Sequence, residues 1–142
     1  MATKKKQIEW TPHKDPYQRA RSSFSIAYMS NAKWRKVLKL IATANLQLSR
    51  SEWKCIDSEQ VLVHGIPRLT DILEIRFADG QLQPYEYKWI EWVRFPRCYK
   101  LYSSNAYELS QDVDGLKQLL EGCGSLKIEM SETGLTLFAY KH

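Results

Sequence analysis

The chain has 142 residues, 44% hydrophobic and 26% charged, with a formal net charge of +5. That length suits one domain with its own core, and the balance of residues is globular rather than disordered. No apolar run approaches the ~18 residues needed to cross a bilayer, and the basic start from Met1 to Lys6 lacks the apolar stretch of a secretion signal, so a cytoplasmic protein without a membrane partner is expected.

The charge is uneven. Residues 1–40 hold ten basic and two acidic side chains, whereas the other 102 hold eleven basic and fourteen acidic ones. The basic character therefore belongs to the N-terminal end. Cys55, Cys98 and Cys123 are few, odd in number and far apart, which argues against a disulfide framework and against a zinc site.

In chain order, residues 1–20 read as a basic tail and 21–142 as a single domain. The tail combines Lys4, Lys5 and Lys6 with Pro12 and Pro16, and only Trp10 and Tyr17 could anchor it. The first strong element is a helix capped by Ser30 or Asn31, because Trp34, Val37, Leu38 and Ile41 recur at i, i+3, i+4, i+7. It is expected to end before Asn45. Strands are predicted around Leu46–Leu48, Trp53–Cys55 and Val61–His64. Another is predicted at Leu73, Ile75 and Phe77, which alternate with polar residues and run into an Asp79-Gly80 hairpin turn.

Tyr85 to Phe95 is the most unusual segment, rich in aromatic and β-branched residues and closed by Pro96. It predicts a strand with Ile90 and Trp92 on one face and Trp89 and Val93 on the other. A short strand is expected within Cys98–Tyr102. A second helix should begin near Ser110, with Leu109, Val113, Leu116 and Leu120 as its stripe and Gly122 and Gly124 as its stop. A hairpin of Leu126, Ile128 and Met130 with Leu135, Leu137 and Ala139 ends the chain. Strands do not alternate with helices, so the predicted fold is α+β: a mostly antiparallel sheet, two main helices packed on one face, and a C-terminal β-hairpin.

Three phrases carry a resemblance: Tyr28 to Leu38, Trp53 to Asp57, and Tyr87 to Pro96. Together they resemble a family of small bacterial cytoplasmic proteins, a domain of unknown function, over roughly residues 25–140. The resemblance implies a bacterial, intracellular, single-domain protein and supplies no catalytic residues. Immunity proteins of contact-dependent toxins are also bacterial α+β proteins of this size, but no motif diagnostic of them is present.

No glycine-rich phosphate loop opens a helix. A hydrolase or metal reading would rest on His64 with Asp57, Glu59 or Asp71, or on His64 with Cys55 or Cys98. An ordinary polar turn and a strand-end histidine explain these residues better, so no catalytic residue, metal or cofactor is assigned. The leading expectation is a non-catalytic protein-binding module, with toxin neutralisation as one form. Tyr85, Glu86, Trp89, Glu91, Trp92 and Arg94 would contact the partner, since Trp, Tyr and Arg dominate binding hot spots. Packing in the core is the competing explanation for Trp89 and Trp92, and cross-strand pairing for the charges. The alternative is nucleic-acid binding through Lys4, Lys5, Lys6, Arg19, Arg21, Lys33, Arg35 and Lys36.

Overall fold

The computed structural model describes residues 15–77, 85–100 and 107–142. Three helices and eleven strands occur there. In chain order they are Pro16–Arg21 (α1), Ile26–Ala27 (β1), Asn31–Thr43 (α2), Ser51–Cys55 (β2), Val61–His64 (β3), Arg76–Phe77 (β4), Tyr85–Glu86 (β5), Ile90–Pro96 (β6), Cys98–Lys100 (β7), Glu108–Ser110 (β8), Val113–Glu121 (α3), Lys127–Met130 (β9), Gly134–Phe138 (β10) and Tyr140–Lys141 (β11). Five strands form the main sheet, in the order β3-β2-β6-β10-β9, and every neighbouring pair is antiparallel. The fold is α+β with a C-terminal β9–β10 hairpin. None of the described helices is long and apolar enough to cross a membrane.

Helix α2 forms where its periodicity predicts. The Ser30 hydroxyl accepts from the Lys33 amide at 3.1 Å and caps the free first turn. Trp34, Val37, Leu38 and Ile41 are its buried side chains. Helix α3 starts later than its leucine spacing suggests. Asp112 caps it by accepting from the Gly115 amide at 2.9 Å, and Leu109 belongs to β8 instead. Both helices pack on one sheet face, where Trp53, Val93, Phe95, Leu135 and Leu137 are buried with Val113, Leu116 and Leu120.

Helix α1 falls within the segment read as tail. Asp15 caps it, Pro16 occupies its first turn, and Tyr17 places its ring edge-on to Trp89 at 5.4 Å. Residues 1–14, including Trp10, lie outside the described residues, as do Asp79-Gly80 and Pro84.

One predicted strand is absent and another is cut short. The Leu46–Leu48 stretch is irregular because its backbone groups serve α3: the Asp112 amide donates to the Gln47 carbonyl at 3.0 Å. Leu73 and Ile75 are 39% and 45% exposed, and regular pairing there is confined to Arg76–Phe77 against Tyr85–Glu86. Buried Tyr87 claims the backbone in this region. Its hydroxyl donates to the Leu73 carbonyl at 2.7 Å and its amide to the Ile75 carbonyl at 2.9 Å.

Tyr85 to Phe95 is not one strand. Tyr87–Trp89 form a 3₁₀ turn, and β6 begins at Ile90. A β-bulge follows at once: Cys55 pairs with Ile90 and Lys54 with Trp92, leaving Glu91 as the extra residue. The bulge corrects the expected faces. Ile90 shares the core side with Val93, and both are buried, while Trp92 turns to the opposite side.

Gln111, 6% exposed, fastens the sheet to α3. Its Oε1 accepts from the amides of Ser49 and Arg50 at 2.6 and 2.7 Å. Its Nε2 donates to the carbonyls of Arg50 and Pro96 at 3.1 and 2.8 Å. Replacing it with Leu keeps the volume and leaves these groups unsatisfied, so Gln111→Leu should lower unfolding free energy by about 2–4 kcal/mol. Leu137→Ala, which opens a cavity under both helices, should lower it by about 2–5 kcal/mol. Urea titration of each variant measures both.

Candidate functional site

With α2 and α3 on one face, the opposite face of the main sheet carries no helix among the described residues. Strand register sets its side chains in two rows. One row runs Val61, Lys54, Trp92, Phe138, Lys127. The other runs Val63, Glu52, Arg94, Thr136, Glu129. Val61 and Val63 are 42% and 53% exposed on the edge strand β3. Trp92 and Phe138 are half-buried and sit directly opposite each other across β6 and β10.

The charges on this face satisfy one another. Lys54 Nζ donates to Glu91 Oε1 at 2.5 Å, and the bulge is what swings Glu91 into reach. Arg94 donates to Glu52 Oε1 at 3.2 Å and to the Thr133 carbonyl at 3.0 Å. Arg50 Nε lies 3.5 Å from Glu52 Oε2, and its guanidinium covers the Tyr99 ring at 5.0 Å. Lys141 reaches Glu129 at 2.9 Å and lies over the Phe138 ring at 4.9 Å. Trp92 therefore stands among charges held mostly in ion pairs within the chain.

A groove of about 480 Å³ continues the face toward β7 and β8, lined by Arg50, Arg94, Arg97, Tyr99, Glu108 and Glu132 among others. Arg97 grips Asp114 with two nitrogens at 3.0 and 3.4 Å. That grip holds the Asp114 carboxyl below the usual carboxylate range.

A smaller cavity of about 170 Å³ lies between α1 and the start of α2, bordered by Tyr17, Arg21, Trp34, Tyr87 and Tyr140. The hydroxyls of Tyr17 and Tyr140 are 3.1 Å apart, and Tyr140 donates to the Lys88 carbonyl at 2.7 Å. Burial pushes the hydroxyls of both Tyr140 and Tyr87 above the ordinary tyrosine value, Tyr87 to about 12.

The six residues expected to contact a partner separate. Trp92 and Arg94 reach the open face, and Glu91 reaches it but is buried against Lys54. Trp89 faces Tyr17 and packs against the core. Glu86 lies 3.7 Å from Lys88 Nζ, and of Tyr85 only the backbone is described. Phe138, Lys127 and the two valines were missed, because nothing local in the sequence reveals that they join Trp92 across the sheet.

Several cations of the basic set are engaged within their own chain. Lys33 donates to the carbonyls of Tyr28 and Ser125 at 3.1 and 2.9 Å, and Arg35 donates to that of Glu74 at 2.5 Å. Arg21 donates to the Phe24 carbonyl at 2.8 Å and covers the Tyr140 ring. Arg19 lies on α1 and Lys36 on α2, while Lys4, Lys5 and Lys6 fall outside the described residues.

The His64 constellation does not assemble. His64 pairs with Ser51, whereas Asp57 and Glu59 lie past the opposite end of the β2–β3 hairpin. At about 3.3 Å per residue, the stretch from His64 to Val61 alone spans roughly 10 Å, and both carboxylates lie beyond it. Asp71 is used locally, accepting from the Arg68 amide at 3.0 Å. No group of three or more metal-ligating side chains occurs among the described residues.

The tyrosine shift sets a pH limit on stability. Both states hold the Tyr87 proton below its ordinary value of 10.0. Above it the unfolded tyrosine ionises first, so stability falls as pH rises toward about 12. The urea midpoint should drop between about pH 9 and about pH 11.5, and Tyr87→Phe should shrink that drop. Compared with known proteins, the chain matches no family model, no curated protein and no solved structure.

Proposed function

We propose that this protein is a non-catalytic binding module that engages another protein through the open face of its main sheet. The supporting observation is Trp92, half-buried at mid-strand between Lys54 and Phe138, with Arg94 beside it on the same face. Trp and Arg supply most hot-spot energy in protein interfaces. A strand paired on both sides presents them with little conformational freedom left to lose. Exposed Val61 and Val63 extend the apolar part of the surface to the sheet edge.

The surrounding charges suit a protein partner. The two rows and Glu91 carry three carboxylates (Glu52, Glu91, Glu129) and three cations (Lys54, Arg94, Lys127). Carboxylates interleaved among these cations favour a partner of matched local charge, where a phosphate backbone favours cations without acidic neighbours.

A photo-crosslinking residue placed at Phe138 in cells that make the protein natively tests the reading. A covalent adduct with a protein should form, and Trp92→Ala should weaken it by roughly tenfold or more while circular dichroism stays unchanged. Crosslinking only to nucleic acid, or adduct formation indifferent to Trp92→Ala, would refute this role.

A further inference from the structure

We infer that the open face takes a second copy of this chain, stacked face to face about a two-fold axis that crosses the strands midway between the two rows. The inference rests on the binding-face reading above and names its partner. What carries it is the self-complementarity of the two rows. A half-turn about that axis keeps each strand opposite its own counterpart but exchanges the rows. Each residue then faces the partner residue two positions along the same strand.

The registers give every resulting pair. On β2, Glu52 faces the second copy's Lys54; on β9, Glu129 faces Lys127. On the central strand β6, the Arg94 guanidinium faces the Trp92 ring, a favourable cation–π arrangement. On β3, Val63 faces Val61, and on β10, Thr136 faces Phe138. No pair sets like charges together. Two sheets stacked this way lie about 10 Å apart and cross at about 30°. The central β2 and β6 pairs stay in register under that rotation, and the long Lys127 and Glu129 side chains span the offset at the edge.

The same count sets the strength. Two rows of five residues and Glu91 give about half the 20–30 residues that each side of a stable complex contributes. The dimer is therefore reversible and concentration-dependent. Lys54, Glu52, Arg94 and Glu129 meet a second copy already paired within their own chain, which also limits affinity.

Sedimentation velocity on the full chain, from about 5 to about 500 µM, brackets an interface of this size. The wild-type protein should shift from monomer to dimer across that range. Lys127→Glu and Glu129→Lys lie on the outer strand β9, so folding, checked by circular dichroism, should survive both. Each reversal alone sets like charges against each other and should raise the dissociation constant by roughly tenfold. An equimolar mixture of the two variants sets opposite charges against each other and should restore a heterodimer. Trp92→Ala should dissociate the dimer.

A wild-type monomer at every concentration overturns the second-copy assignment, as does a dimer indifferent to the reversals, or variants that fail to associate when mixed. If the Phe138 crosslink to a different protein persists in that case, the binding face stands and only its occupant is wrong. If no protein crosslinks there either, both readings fall.

Discussion

Burial of Trp34 against Trp53 and Tyr87 is the contact on which the arrangement depends. The Trp34 ring lies 6.2 Å from that of Trp53 and 6.5 Å from that of Tyr87, joining α2 to the sheet and to the 3₁₀ turn before β6. Aromatic side chains of this size bury roughly 150–250 Å² each, worth about 4–6 kcal/mol of gross hydrophobic stabilisation apiece. That contact commits one sheet face to the helices. It also leaves the other face without a helical cover among the described residues, and that face is the one the proposed binding uses.

Polar groups hold the edges of this core in place. The Ser51 hydroxyl accepts from Trp53 Nε1 at 2.8 Å and donates to the Gly65 carbonyl at 2.6 Å, fixing the indole and closing the β2–β3 hairpin. Gln111 performs the corresponding task where β2, β6 and α3 meet. Gly134 must approach the neighbouring strand closely, since a Cβ there would sit 2.5 Å from the Phe95 carbonyl oxygen. These contacts add little hydrophobic energy, but unmaking any of them strands a buried donor or acceptor or forces backbone apart.

The open face is organised on a different principle. Its outermost pair, Lys141–Glu129, is solvent-exposed and contributes about 0–1 kcal/mol, while Lys54–Glu91 is largely buried and offsets its Coulomb attraction with desolvation. The effect of these pairs is to fix side chains around Trp92. A half-turn exchange of the face's rows turns both row carboxylates, Glu52 and Glu129, toward a cation, a property of the register rather than of any single residue. The same charges scattered at random would attract or repel a second copy without preference.

Much of the fold was legible in the sequence because its signals are local. The Trp34, Val37, Leu38 and Ile41 spacing located α2 and its buried stripe, alternation located β2 and the closing hairpin, and a short β-branched run located β3. Local pattern failed where a distant partner decided the outcome. Leu73 and Ile75 alternate like strand residues, yet Tyr87 takes their backbone; Leu109 is spaced like a helical residue, yet β8 pairs with β7. Trp92 stood out in the sequence by its type, but the face it occupies did not, because one extra residue at Glu91 reverses the side on which every earlier position lies. The sequence by itself determined the residue types and the periodicity of the elements. Only the tertiary structure decided that Val61, Lys54, Trp92, Phe138 and Lys127 form one row, because strand register is set by hydrogen bonds between segments far apart in the chain.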